Sequence, residues 1–253
     1  MNLDSAFVFG FACLFVRCSA MLLSSPLTGG LVPVPIRVFA SAVISLALMP
    51  VVQASLPPVP ADLYGLVMIV AREAVMGLLI GFCIQILTSA FQAAGAMVDL
   101  QVGLASAQVF SPMTGSADAP IARFKFMLAL VMLFAANAHQ MMIQAFVKSY
   151  SFAPTGGAGF ADSMTHMVSL VGSSLVLALQ IAAPAAAVCA LIDIAAGLIN
   201  RAVPQTQPFL LALPTKLVLG IGVLSVALPS MTYGVSSGVG MAFDAMFRVL
   251  KGI

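Results

Sequence analysis

The chain has 253 residues, of which 62% are hydrophobic and only 7% charged, whereas roughly a quarter of an ordinary soluble domain is charged. A water-facing surface of normal polarity cannot be built from it, so the bilayer is its expected solvent. Its ten basic and eight acidic residues, net +2, are dispersed without the Lys/Arg cluster of a nucleic-acid or polybasic lipid-binding face, and no nucleic-acid partner is expected.

Six apolar runs, at about 5–24, 36–54, 63–99, 122–147, 167–200 and 209–247, meet the roughly 20 residues a helix needs to span the hydrocarbon core. A membrane barrel needs strands of about 10 residues with alternating polarity, and these runs do not alternate. The expected fold is an all-α membrane protein of about six long apolar helices arranged as tilted, Pro/Gly-broken hairpins. It forms a single helical membrane domain over residues 1–253, with no soluble domain. The first run carries Asp4 and Arg17 and lacks a basic leader, so it is expected to stay in the mature protein. Cys13, Cys18, Cys83 and Cys189 sit inside apolar runs at spacings that suit neither a disulfide framework nor zinc.

Breaks fall at Ser24–Pro35, at Ser55–Asp62 with its three prolines, at about Phe110–Pro120, at Tyr150–Ser163 and at Arg201–Pro208, where proline and glycine interrupt the helical pattern. The Lys and Arg residues near these breaks do not choose an orientation by the positive-inside rule. The third run continues its helical pattern to about Ala107 and would be roughly 70 Å long if unbroken. Along it Glu73, Gly77, Gly81, Gln85, Thr88, Gln92, Gly95, Asp99 and Gly103 follow at steps of three or four, placing small and polar residues on one drifting face. Such a face packs either within the chain's own bundle or against other subunits around a passage.

Asn137, Gln140, Gln144 and Lys148 form a polar stripe at the end of the fourth helix. His139 beside it is either a hydrogen-bonded packing residue or a proton carrier. Ser230, Gly234, Gly238 and Ala242 make a later small-residue ridge on one helix. No metalloprotease pair, nucleophile elbow or phosphate-binding glycine loop occurs, so neither catalysis nor a cofactor or metal is expected. Isolated Glu73, Asp99 and Asp193 in apolar runs leave an autonomous secondary transporter of a small solute or ion as the alternative reading.

A series of short motifs sharpens this. Arg17, Pro26, Pro33 and Arg37 are followed by Arg72-Glu73 with Gly77, Gly81 and Phe82, then by Ala94-Gly95, Asp99, Gln101 and Gly103. Phe110, Pro112 and Gly115 lead to Pro120, Arg123 and Phe124, then Asn137-Ala138-His139, then Arg201-Ala202-Val203-Pro204-Gln205 with Phe209 and Pro214. In this order they resemble the FliR family of flagellar export-gate subunits and its injectisome counterpart SctT, with departures at Ser111, Ala138 and Gln207-Pro208.

The resemblance implies an inner-membrane subunit of the type III protein export gate, located in the flagellar basal body and partly raised to the periplasmic side. Its partners would be FliP-like and FliQ-like subunits, an FlhB-like switch subunit, membrane lipid and unfolded export substrates in transit. It also implies a plug in the loop at about 104–120, carried onto Gly103, Phe110, Pro112 and Gly115, where Phe110 and Met113 would seal a pore. Helix packing and assembly are expected to involve Glu73, Gly77, Gly81, Gly95, Asp99 and Gln101. For Glu73, an amide is expected to serve as well as the carboxylate. Arg201 and Gln205 either cap helix ends at a bend or touch a partner.

Overall fold

A computed structural model describes residues 5–29, 32–104, 119–152, 160–203 and 208–251. Its elements are α1 (Ser5–Ser24), α2 (Val34–Val52) with a short 3-10 turn at Gln53–Ser55, α3 (Leu63–Val102), α4 (Pro120–Ala135), α5 (Ala138–Phe152), α6 (Phe160–Ala202) and α7 (Pro208–Lys251). No strand occurs among the described residues, and the fold is an all-helical membrane fold, as expected. Among the described residues, four helices are long and apolar enough to cross a membrane, or five spans if α4 and α5 count as one bent span. The figure of six is therefore approximate.

Two boundaries differ from the sequence pattern, each for a backbone reason. The third helix stops at Val102 rather than near Ala107, because Gly103 takes φ 90°, the left-handed conformation that ends helices and that glycine adopts without steric penalty. The fourth run is not one helix. Asn137 has φ 57°, a conformation for which asparagine is enriched among non-glycine residues. Its N–H donates to Phe134 O at 3.0 Å, while its carbonyl accepts from Gln140 N at 3.0 Å and Met141 N at 3.2 Å. One residue thus closes α4 and opens α5, which are bent by 66°, and the polar stripe expected to run through Asn137 is broken at its first member.

The start of α2 is set by Pro33, with φ −55° and ψ 143°, followed by proline in the first turn, where a missing N–H leaves no broken bond. Before it, Ser25 shapes the turn: its carbonyl accepts from Gly29 N at 3.0 Å and its hydroxyl from Leu27 N at 3.3 Å. Arg37, at the start of α2, donates from Nε to Val32 O at 2.7 Å.

The described residues group into two compact units, one containing 1–87, 133–172 and 239–253, the other 88–132 and 173–238. In the first, α1 packs on α2, with Gly10 facing Met49 and Leu56 over a buried ridge of Ser41, Ser45, Met49 and Val52. Further along, α1 meets α3 at Gly77 and Gly81. A Cβ on Gly77 would lie 2.1 Å from the Arg17 carbonyl oxygen, and one on Gly81 2.4 Å from that of Met21. These glycines permit backbone-to-backbone approach. In the second unit, Ala90, Ala94, Val98 and Val102 of α3 form a core with Ala178, Ala182, Ala185 and Cys189 of α6, two ridges at helical spacing that interlock closely because their side chains are small.

Gly77→Ala is expected to destabilise the chain, because the obstructing atom is backbone and cannot move to another rotamer, with a penalty of about 1–3 kcal/mol or more. Gly172→Ala, whose added methyl meets nothing within 4 Å, is expected to leave stability unchanged. Thermal unfolding in detergent separates the two, and equal melting temperatures would contradict the α1–α3 contact.

Candidate functional site

In a chain this apolar, the informative residues are buried charges. Arg17 on α1 is 1% exposed and Glu73 on α3 2%. An unpaired guanidinium or carboxylate at such a place carries a large desolvation penalty, and the two groups answer each other. Arg17 donates from Nε to Glu73 Oε2 at 2.6 Å and from NH2 to Glu73 Oε1 at 3.0 Å, the two-pronged geometry that makes arginine–carboxylate pairs strong. Its remaining nitrogen, NH1, donates to Ser149 Oγ at 2.7 Å, and that hydroxyl donates onward to Phe146 O at 2.6 Å. Tyr150 donates from its hydroxyl to Glu73 Oε2 at 2.8 Å, and the Arg17 guanidinium carbon lies 3.7 Å from the centre of the Tyr150 ring, in cation–π contact. Three helices, α1, α3 and α5, are therefore tied at one point within the first unit.

Asp99, near the end of α3, is 1% exposed and serves a second junction in the other unit. Its Oδ1 accepts from Ile121 N at 3.1 Å and its Oδ2 from Ala122 N at 2.8 Å. These are N–H groups in the first turn of α4 that have no partner within the helix, and Pro120 ahead of them has no N–H to satisfy. The negative carboxylate also suits a helix N-terminus. Gly95, one turn earlier on α3, lets the helices meet: its Cβ would stand 2.3 Å from Ala122 Cα. Lys125, 1% exposed, lies close enough for the Asp99 charge to act on it.

Along the small and polar stripe, Glu73, Gly77, Gly81, Thr88, Gly95 and Asp99 are buried, Gln85 and Gly103 are half-buried and Gln92 is exposed; Gln101, off the stripe, is exposed as well. Arg17 joins that internal set. Phe110, Pro112, Met113 and Gly115 lie outside the described residues, as do Pro204 and Gln205; Gly103 follows the end of α3 with φ 90°. Phe209 falls in the first turn of α7, and Arg201 is exposed in the last turn of α6. His139 packs its ring 5.6 Å from that of Phe134, and its buried Nδ1 has no hydrogen-bond partner among the described residues; ring packing, rather than a hydrogen bond at that nitrogen, holds it. Tyr150, Ser149 and Lys125 were not singled out by sequence. Tyr150 carried a signal, since a hydroxyl-bearing ring at the end of an apolar run needs a polar partner when buried.

Two of the three acidic residues that a secondary transporter would use are engaged in these junctions, Glu73 and Asp99; the third, Asp193, pairs with Lys216 at 2.5 Å. No group of three or more metal-ligating side chains occurs among the described residues. What the geometry defines is a multi-pass helical membrane protein whose polar interior tends to structural junctions.

Comparison with known proteins gives that class its family. Residues 8–241 match the bacterial export proteins, family 1. The chain is 31% identical over 244 residues to the flagellar biosynthetic protein FliR of Caulobacter vibrioides, covering 96% of this chain and 94% of that one. It is 27% identical over 248 residues to FliR of Bacillus subtilis, covering 95% and 94%. Against the Yop proteins translocation protein T of Yersinia pestis it is 29% identical over 210 residues, covering 80% and 78%. The chain belongs to the bacterial export proteins, family 1, the FliR/SctT family, and is a multi-pass membrane component of a type III export apparatus.

The buried pair revises what is expected of Glu73. An amide in its place turns an N–H2 donor toward the guanidinium, so Glu73→Gln no longer suffices. Removing one partner of a buried ion pair costs about 3–5 kcal/mol, while replacing both with apolar groups is often neutral. Glu73→Leu and Arg17→Met are each expected to lower the melting temperature in detergent sharply, and the double variant is expected to recover much of the loss. Additive losses would mean that the charges do not depend on each other. For Asp99→Ala the expected signature is local. Amide exchange at Ile121 and Ala122 rises, for a loss of roughly 0.5–2 kcal/mol as at other N-caps; unchanged exchange there would refute the cap.

Proposed function

We propose that the chain is the R-type subunit of the flagellar export gate, assembling with FliP-like and FliQ-like subunits, and with an FlhB-like switch subunit, around a channel for unfolded export substrates. The carrying observation is the match to FliR relatives along nearly the whole chain. Its apolar surface supports the same reading. Only 17% of the most apolar window of α2 is buried, and 28% of that of α6, so these helices leave extensive apolar surface for lipid or neighbouring helices. The buried charges are engaged inside the chain, which favours a passive element of the gate, with the energy for export supplied by other components. The flagellar rather than injectisome system is favoured by Asn137-Ala138-His139 and by the identity to flagellar relatives.

The plug is assigned to the segment between Gly103 and Pro120. Gly103 ends α3 in the left-handed region, and Asp99 holds the first turn of α4, so both flanks are anchored independently of the residues between. Phe110 and Met113 would supply apolar bulk to exclude water and ions.

P-type and Q-type subunits are expected to co-purify with the chain from native membranes in mild detergent; purification as a stable solitary species would overturn the reading. Deleting residues 110–116 is expected to leave that complex intact while raising the conductance of the membrane to small ions. An assembled complex with unaltered conductance would remove the plug from the proposal.

A further inference from the structure

One charged pair differs from the buried junctions. Lys216 on α7 lies 2.5 Å from Asp193 Oδ1 on α6, both within the second unit, yet the Asp193 side chain is 44% exposed and that of Lys216 13%. Within one turn of Asp193, Ala190, Ile194 and Gly197 are exposed as well, and Leu219 is exposed one turn after Lys216. A Cβ on Gly197 would meet nothing within 4 Å.

This face suits neither solvent. In water its aliphatic residues would form an exposed apolar patch on two arms that are apolar nearly all round, the arrangement of a helix meant to be covered. In hydrocarbon the open side of the carboxylate would lack a donor, and intramembrane acids face protein or water rather than lipid. A protein surface satisfies both demands. Lys216 already balances the charge of Asp193, so a second cation would leave net charge in a low dielectric and an acid would be repelled. The complement is a neutral hydrogen-bond donor on an otherwise apolar helix. Gly197, four residues after Asp193 and on the same side of α6, leaves room for that helix to approach at backbone distance.

We infer that the face of α6 centred on Asp193 and Gly197 is an intermolecular helix-docking surface, and that its occupant is an apolar membrane helix of another subunit presenting Ser, Thr, Asn or Gln to Asp193. The inference rests on the export-subunit reading and adds to it the location and chemistry of one contact.

The test uses the full chain in native membranes, with P-type and Q-type subunits followed by co-purification. A photoreactive side chain at Ile194 is expected to cross-link to another subunit of the apparatus. Adducts with lipid alone, while partners still co-purify, would overturn this docking face and leave the export-subunit reading standing; failure of any partner to co-purify with the unsubstituted chain would overturn both. Asp193→Asn combined with Lys216→Met keeps a carbonyl acceptor without charge, and recovery of the cross-linked partner is expected to stay within about twofold. Asp193→Leu combined with Lys216→Met removes the acceptor, with an expected loss on the order of tenfold, the scale of one interhelical hydrogen bond in a membrane. Equal recovery from the two would mean a purely local tie and no docking role. Gly197→Leu, which meets open space within the chain, guards against misfolding as the cause. Its expected outcome is a normal melting temperature with a comparable loss of the cross-link, and an undiminished cross-link would overturn the close approach.

Discussion

Placing a guanidinium in the interior of an apolar helix pair makes demands that organise the first unit of this protein. Arg17 carries five N–H donors on a planar fork, in surroundings that supply almost no acceptors. Glu73 meets two of its nitrogens, Ser149 the third, and the Tyr150 ring covers its face. Each supplier comes from a different position in the chain, so the group is satisfied only when α1, α3 and α5 have arrived together. The network is therefore a condition on the fold more than a source of stability, because the desolvation of a buried ion pair offsets most of its attraction. Its value lies in specifying which helices meet and in what register. An apolar interface of Leu, Ala and Met would tolerate a turn of slippage that the bidentate pair does not.

Close approach has to accompany this register. Gly77 stands one turn after Glu73 and Gly81 one turn after Gly77, and both receive the backbone of α1. With a side chain at either site the helices would separate, and Arg17 and Glu73 would be drawn out of hydrogen-bond reach. Polar specification and small-residue packing are thus a single device distributed over nine residues of α3. The second unit repeats the logic with other parts. There Gly95 admits α4, and Asp99, one turn on, satisfies the N–H groups that α4 leaves open. Glycine followed by or following an acid at four-residue spacing is the common element of both junctions.

That spacing is legible in the sequence, and so are the helical class and the breaks at proline-rich turns. The partners are not legible. Arg17 and Glu73 are 56 residues apart, Tyr150 and Glu73 77 apart, and no local periodicity relates such positions. The apolar neighbours of Asn137 recur at helical spacing and predict a continuous helix; only the backbone conformation at that one residue turns the run into two helices. Gly103 fits the spacing of the stripe for the same reason. In both cases a single left-handed residue overrides a periodic pattern, since side-chain spacing carries no information about the backbone sign at the residue where a helix ends.

The polar groups of the chain also differ in how completely they are answered, and this difference has a physical meaning in a membrane. Around Arg17 every guanidinium nitrogen has an acceptor, and both oxygens of Asp99 have donors. The partners of these groups all belong to this chain. Asp193 is different, for it holds one lysine and keeps an exposed edge among exposed aliphatic residues. In an aqueous protein such an edge would be hydrated and unremarked. In a chain whose surroundings are hydrocarbon or other helices, an incomplete hydrogen-bond shell is an unmet demand.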